Sequence, residues 1–306
     1  MDEIHLNLSP QEFRSILLSH SWFELSPFLC DPKPEDPRLF RNFNLPSDTG
    51  SFEIYTQGTS CILNVKSGDP DLVKTVAEKC LSLDLDTTPF YAKISGHEAF
   101  QWMIDQRMGR YLRSPTLFED CFKIIATSNA DWFSRTKPII QSAVENFGSD
   151  VDGRKTFPTP EQILNNPVEK TKKVTKCGYR GEWFHDLAQK ALEQPDLFLG
   201  DRWRSMSSGE FYREIMTVSG IGPVNATYLC RFYGRPHDYT IDRWIMKRCE
   251  ELWGLDFDDV AKKYNEWAEN KFGDFAPYGP NLLWFSITKY WHKFDGPFEG
   301  KWWDKG

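Results

Sequence analysis

The stretch from Ser208 to Arg248, reading SGEFYREIMTVSGIGPVNATYLCRFYGRPHDYTIDRWIMKR, constrains this chain more than any other. Phe211, Ile215 and Val218 recur at helical spacing behind the cap candidate Ser208, until Ser219-Gly220 interrupts the pattern. A second helix must start at once. Pro223 suits its first position, where the missing N–H has no intrahelical partner, and Gly234 is a stop after Tyr228, Leu229 and Phe232. Two helices therefore meet at the hairpin Gly220-Ile221-Gly222-Pro223. Glycine there lets the backbone approach a ligand closely, and the free N–H groups of the second helix, beginning at Val224, face an anion such as a phosphate. Asp242 follows Gly222 by twenty residues, where a new helix should begin. An N-cap role is reason enough for an aspartate at that place. A carboxylate held close to the hairpin would also stabilise a sugar oxocarbenium ion and orient water against it.

The rest of the sequence sets bounds. A chain of 306 residues with 40% apolar and 26% charged residues is of ordinary globular composition, and is long enough for one large domain or two to three smaller ones around a cleft. Met1-Asp2-Glu3-Ile4 opens with acid rather than with a basic leader, and no apolar run reaches membrane-spanning length; the expectation is a cytoplasmic protein. Seven cysteines without a CxxC pair argue against a disulfide framework and against zinc. The net charge of −7 weighs mildly against nucleic acid. Between residues 168 and 180, however, Lys170, Lys172, Lys173, Lys176 and Arg180 face the single acid Glu169, with Arg202, Arg204 and Arg213 soon after. This is either a basic binding face or a solvated loop.

Up to about residue 95 the pattern is mixed. His5-Leu6-Asn7-Leu8 reads as a strand, Ser9-Pro10 opens a helix bearing Phe13, Ile16 and Leu17, and Pro32, Pro34 and Pro37 mark a loop. Ser51–Tyr55 and Cys61–Val65 flank Gly58 as a hairpin, and Leu72–Leu81 reads as a helix. From Pro89 to Lys293 the chain reads as short helices: 97–108, 116–127, 135–147, 160–165, 182–193, 209–218, 224–233, 243–252, 257–270 and 281–292. The apolar stripe Leu283, Ile287, Tyr290 and Trp291 belongs to the core. The reading is an α+β chain with a small N-terminal antiparallel-sheet domain, residues 1–95, and a mostly α-helical two-lobed domain, residues 96–306, with its hairpin at 219–223.

The hairpin Ser219-Gly220-Ile221-Gly222-Pro223-Val224-Asn225-Ala226 followed by Ile241-Asp242 resembles the signature of the helix-hairpin-helix (HhH-GPD) DNA glycosylase superfamily. Three further segments, in order, carry the resemblance. Leu117 to Gly148, with Ser128-Asn129, is similar to the segment whose Asn-bearing loop enters DNA beside the extruded nucleotide. Gly178-Tyr179-Arg180 is similar to the Gly-Tyr-Arg of the 8-oxoguanine branch, and Phe275-Ala276-Pro277-Tyr278, leading to Asn281 and Phe285, resembles the start of the helix lining the base pocket. The resemblance implies base-excision repair by a DNA glycosylase acting as a monomer on double-stranded DNA with a damaged base, in a bacterial cytoplasm with the nucleoid. Asp242 would be catalytic, and Gly220, Gly222 and Val224 would bind phosphate through backbone N–H. Asn129, Tyr179 and Arg180 would serve as wedge and strand contacts, and Tyr228, Asn281 and Phe285 would line the base pocket. Ser19 to Phe28 departs from the N-terminal motif of relatives, so no site residue carries over there.

Two departures narrow the chemistry. Bifunctional relatives carry a Schiff-base lysine where this chain has Val224, which cannot be a nucleophile; the expectation is hydrolysis to an abasic site without strand cleavage. Iron–sulfur branches place four cysteines after the catalytic aspartate, and this chain has only Cys249 there, so no iron–sulfur cluster or other cofactor is expected beyond a monovalent cation at the hairpin. The missing lysine favours an alkylated purine, which is the expectation; Gly178-Tyr179-Arg180 points to the alternative, an oxidised one. A non-catalytic protein that binds damaged DNA, or an unrelated helical scaffold, would share the hairpin but not need Asp242.

Overall fold

The computed structural model describes residues 3–19, 21–31, 36–239, 242–254 and 260–292, with the backbone alone at 260–262 and 290–292. The earlier readings of Pro32, Pro34, Ile241, Phe257 and Lys293 fall outside the described residues, as do the side chains of Tyr290 and Trp291.

Five antiparallel strands open the chain: β1 (Glu3–Leu6), β2 (Leu29–Asp31), β3 (Arg38–Asn44), β4 (Thr49–Gln57) and β5 (Ser60–Ser67), in the spatial order β1-β5-β4-β3-β2. The expected hairpin is β4 and β5, paired with Ile54 opposite Leu63 and Gln57 opposite Ser60, and Gly58 takes the turn at φ 62°. Phe52, Ile54, Cys61, Leu63 and Val65 are buried, and the Pro10–Leu17 and Pro70–Cys80 helices pack on the sheet. β1 ends at Leu6 rather than running to Leu8. Each of the two helices follows a capping side chain, Ser9 and Asp69, and starts on proline.

A two-lobed, predominantly α-helical region follows. At its centre is the Leu117–Thr127 helix, capped by Thr116 and buried all round from Leu117 to Ala126. Phe122 stacks on Phe184 of the Arg180–Glu193 helix, centroids 3.7 Å apart. Its polar residues tie it to the sheet through Arg41 and to non-strand parts of the fold. Glu119 accepts from Arg41 of β3 at 2.5 Å and is ion-paired with Lys123 at 2.6 Å; Asp120 accepts from Trp22 at 2.7 Å, Tyr233 at 2.7 Å and the Ser114 N–H at 2.8 Å. Burial pushes the Glu119 carboxyl up, but Arg41 and Lys123 outweigh it and hold the group below its ordinary value. One apolar core runs from Leu6 to Ile287 across sheet and helices.

Several elements differ from the sequence reading. Residues 97–108 hold only a short 3₁₀ turn and the Gln101–Asp105 helix, Lys137–Phe147 is preceded by one π-helical turn, Trp132–Thr136, and a two-residue hairpin pairs Asp150 with Lys155. The basic stretch is a helix, Val168–Thr175, not a loop. No helix among the described residues is long and apolar enough to cross a membrane.

Candidate functional site

The first hairpin helix, Ser208–Ile215, is capped by Ser207 rather than Ser208. Ser207 and Glu210 form a reciprocal capping box, the Ser207 N–H donating to Glu210 at 2.8 Å. The turn then needs glycine at only one of its two positions. Gly220 has φ 83°, and a Cβ there would lie 2.4 Å from Cε3 of Trp183. Gly222 has φ −92° and would tolerate a side chain, since nothing lies within 4 Å of its Cβ direction. What Gly222 provides is an open approach. It is the N-cap of the Pro223–Phe232 helix and offers no side-chain cap, so the N-terminal N–H groups, Val224's among them, remain for an anion.

Three segments read separately from the sequence are knitted together here. Asn225 of the hairpin helix donates to Ser128 Oγ at 2.8 Å, and Ser128 Oγ lies 3.4 Å from the Gly220 carbonyl. Asn129 takes the left-handed conformation, φ 49°, which asparagine tolerates better than most residues. Arg180, expected as a strand contact, is instead 3% exposed and donates to the carbonyls of Ser128, Asn129 and Cys177. Its guanidinium is buried because three carbonyls need donors there, and it fixes the Asn129 loop rather than presenting charge to a ligand. Tyr179 is 47% exposed, with its ring edge-on to Trp183, which in turn packs on Gly220. Five large apolar side chains are exposed among the described residues, and three of them, Phe133, Tyr179 and Val224, belong to these segments or adjoin them. Phe133 in the π-helical turn had no sequence signal beyond its residue type.

Asp242 caps the Arg243–Trp253 helix, its Oδ1 accepting the Ile245 N–H at 2.7 Å. Its Oδ2 accepts from the Tyr228 hydroxyl at 2.9 Å. Tyr228 stands one turn after Val224 on the hairpin helix, so this bond ties the carboxylate to the hairpin. Burial, and after it the charge of Asp242, pushes the Tyr228 hydroxyl well above the usual tyrosine range, with Arg231 opposing; the hydroxyl stays a donor. The half-buried carboxylate is thus held in one orientation by two donors, with lone pairs left for a further partner.

The remaining pocket candidates divide. Asn281 is buried and its Oδ1 has no partner, whereas Phe285 is fully buried and stacked on Tyr111 at 5.2 Å, which makes it core beneath the site rather than a lining residue. Val224 also walls an open groove of about 780 Å³ carrying Asp238, Glu266 and Glu269, the wrong sign for phosphate. Of the basic cluster, Lys170, Lys173 and Lys176 are exposed, while Lys172 pairs with Glu169 and Glu182 and Arg204 with Asp84. The seven cysteines are free thiols, and among the described residues no group of three or more His, Cys, Asp or Glu could hold a metal ion.

No protein-family model and no curated relative matches the sequence. Solved structures do. The 3-methyladenine DNA glycosylase from Archaeoglobus fulgidus superposes with a TM-score of 0.71 at 18% identity, over 95% of this chain and 99% of that one. The Clostridium acetobutylicum 8-oxoguanine glycosylase/lyase, in complex with duplex DNA bearing cytosine opposite 8-oxoguanine, gives 0.67 at 16% identity over 94% and 98%. At such identities the likeness is one of fold and does not select a branch. The small antiparallel sheet and the two helical lobes give this chain the fold that these two structures share.

Proposed function

We propose that this protein is a monofunctional DNA glycosylase, working as a monomer on duplex DNA. It turns a damaged purine out of the stack and hydrolyses its N-glycosidic bond to leave an abasic site. The observation that carries the reading is Asp242, oriented by Ile245 N–H and Tyr228 OH one helical turn from an uncapped helix N-terminus. In this reading the N–H groups at Gly222 and Val224 take a phosphate beside the lesion. Asn129 and Tyr179 enter the vacated stack, and Arg180 holds the Asn129 loop in place. As the C1′–N bond breaks and its electrons leave with the base, Asp242 stabilises the positive charge on the sugar and accepts a hydrogen bond from the attacking water. The water oxygen bonds to C1′ and its proton ends on the departing base. Val224 supplies no amine, so no covalent enzyme–sugar bond forms.

The sequence offers two lesion classes, an alkylated purine from the absent lysine and an oxidised purine from Gly178-Tyr179-Arg180. The test is a panel of duplexes carrying 3-methyladenine-type, hypoxanthine, 8-oxoguanine or uracil bases, incubated with and without alkali. Strand breaks are expected only after alkali, with no adduct trapped by borohydride. Nicking without alkali through a trappable adduct would overturn the monofunctional reading. Tight binding with no base released would leave a damage-binding protein.

A further inference from the structure

Arg231 is a buried cation that the reaction as described does not use. It lies on the hairpin helix, 2% exposed, and makes no ion pair among the described residues. Its guanidinium carbon sits 4.3 Å from the ring centre of Tyr228 and 4.8 Å from that of Trp284. Tyr228 is the residue that donates to Asp242. Nε and Nη2 of Arg231 are buried and have no hydrogen-bond partner. A guanidinium that only braced two aromatic rings would still require acceptors, because buried donors left unpaired are costly. Two further buried groups lack hydrogen-bond partners. One is the Tyr111 hydroxyl, on which the Arg231 charge acts, and the other is Asn281 Oδ1, one turn before Trp284 on the Gly279–His292 helix. Unused donors on Arg231 and an unused acceptor on Asn281 match the edge of a planar heterocycle with a carbonyl and a ring N–H.

We propose that Arg231 reads the carbonyl edge of the extruded base, so that the site takes neutral carbonyl-bearing bases, oxidised or deaminated, and rejects purines made cationic by N-alkylation. The proposal rests on the glycosylase reading and decides between its two lesion classes. A guanidinium paired to a carbonyl edge is worth about ten- to a hundredfold in discrimination. A cationic base against an unneutralised buried guanidinium meets like-charge repulsion in a medium of low dielectric constant.

The experiment is single-turnover base release from duplexes bearing hypoxanthine, 8-oxoguanine or cationic 7-methylguanine, by wild type, Arg231→Met and Arg231→Lys, with binding to a tetrahydrofuran abasic-site duplex as a control for folding and DNA contact. The wild type should release one of the two neutral bases at least about tenfold faster than 7-methylguanine, which keeps the carbonyl edge but adds a positive charge. Arg231→Met, which removes the like-charge repulsion, should lose that preference by on the order of tenfold or more while still binding the abasic-site duplex. Arg231→Lys, which keeps the charge without the planar fork, should still exclude 7-methylguanine. Faster release of 7-methylguanine by the wild type, a comparison that needs no variant, would overturn the assignment. So would an unchanged lesion ranking in a binding-competent Arg231→Met. Release of no base from any duplex would instead sink the glycosylase reading itself, and the Arg231 assignment with it.

Discussion

Gly220 and Gly222 look equivalent in the sequence and are not equivalent in the molecule. Gly220 is fixed by its left-handed backbone and by Trp183 lying where a Cβ would go, whereas Gly222 has an ordinary backbone and open space. Gly220→Ala should therefore cost about 1–3 kcal/mol of stability, in the range of strained backbone positions. Gly222→Ala should stay within about 0.5 kcal/mol of wild type, as surface changes do, yet weaken DNA binding if the proposed phosphate contact is made there, because the methyl group would sit in its path. Urea unfolding midpoints and DNA binding isotherms on both variants check the pair; equal loss of stability in both would contradict it. Asp242 shows the same layering. The residue that the sequence explains fully as an N-cap uses one oxygen for that purpose and gives the other to Tyr228.

Among elements, the loop at Ser128-Asn129 and the turn at Gly178-Tyr179-Arg180 act as one unit with the hairpin. Arg180→Met removes the donors to the Ser128, Asn129 and Cys177 carbonyls and leaves buried acceptors unsatisfied; about 1–3 kcal/mol of stability should go with them. Hydrogen exchange should rise at residues 127–130, and DNA binding should fall more than the loss of one surface charge would explain. Faster exchange elsewhere but not in that loop would contradict the role. The sequence brings out residue types and their spacing, but not which way the side chains point. Arg180 has the residue type of a strand contact, but its direction is set by carbonyls more than fifty positions earlier in the chain. The Ser207-x-x-Glu210 capping box was legible and was passed over for Ser208, one residue on. β3 and the Val168–Thr175 helix were not legible. In β3 the buried polar side chains of Arg41 and Asn42 break the apolar alternation, and the helix buries only Thr171 and Thr175, so it shows no apolar stripe. By contrast the β4/β5 hairpin, the Leu117–Thr127 helix and the helical hairpin had strong periodicity and clear punctuation, and all three are present.

At the scale of the whole molecule, the buried network of Arg41, Glu119, Lys123 and Asp120 joins the sheet to the central helix. Removing one member leaves an uncompensated buried charge, so Arg41→Met should cost about 3–5 kcal/mol by urea unfolding. Glu119 has a folded pKa below its unfolded value of about 4.3. The unfolded chain therefore binds more protons, and the stability Glu119 contributes is present above about pH 4.3 and is lost as pH falls through its lower folded pKa. Glu119→Gln should lack this part of the acid limb, although Asp120, raised by burial, works in the opposite sense in both proteins. The network supports the helix against which the hairpin and the Asn129 loop are held, so the fold serves to keep Asp242, Tyr228 and the uncapped helix end in one geometry. Comparing free-base release by wild type and Asp242→Asn, on whichever lesion duplex the wild type processes, tests that claim most directly. Asparagine caps a helix as well as aspartate, so the fold should persist. Base release slower by at least about a hundredfold, with melting temperature and abasic-site binding unchanged, is the predicted result. Release by Asp242→Asn within about threefold of wild type, less than 1 kcal/mol of barrier, would contradict it.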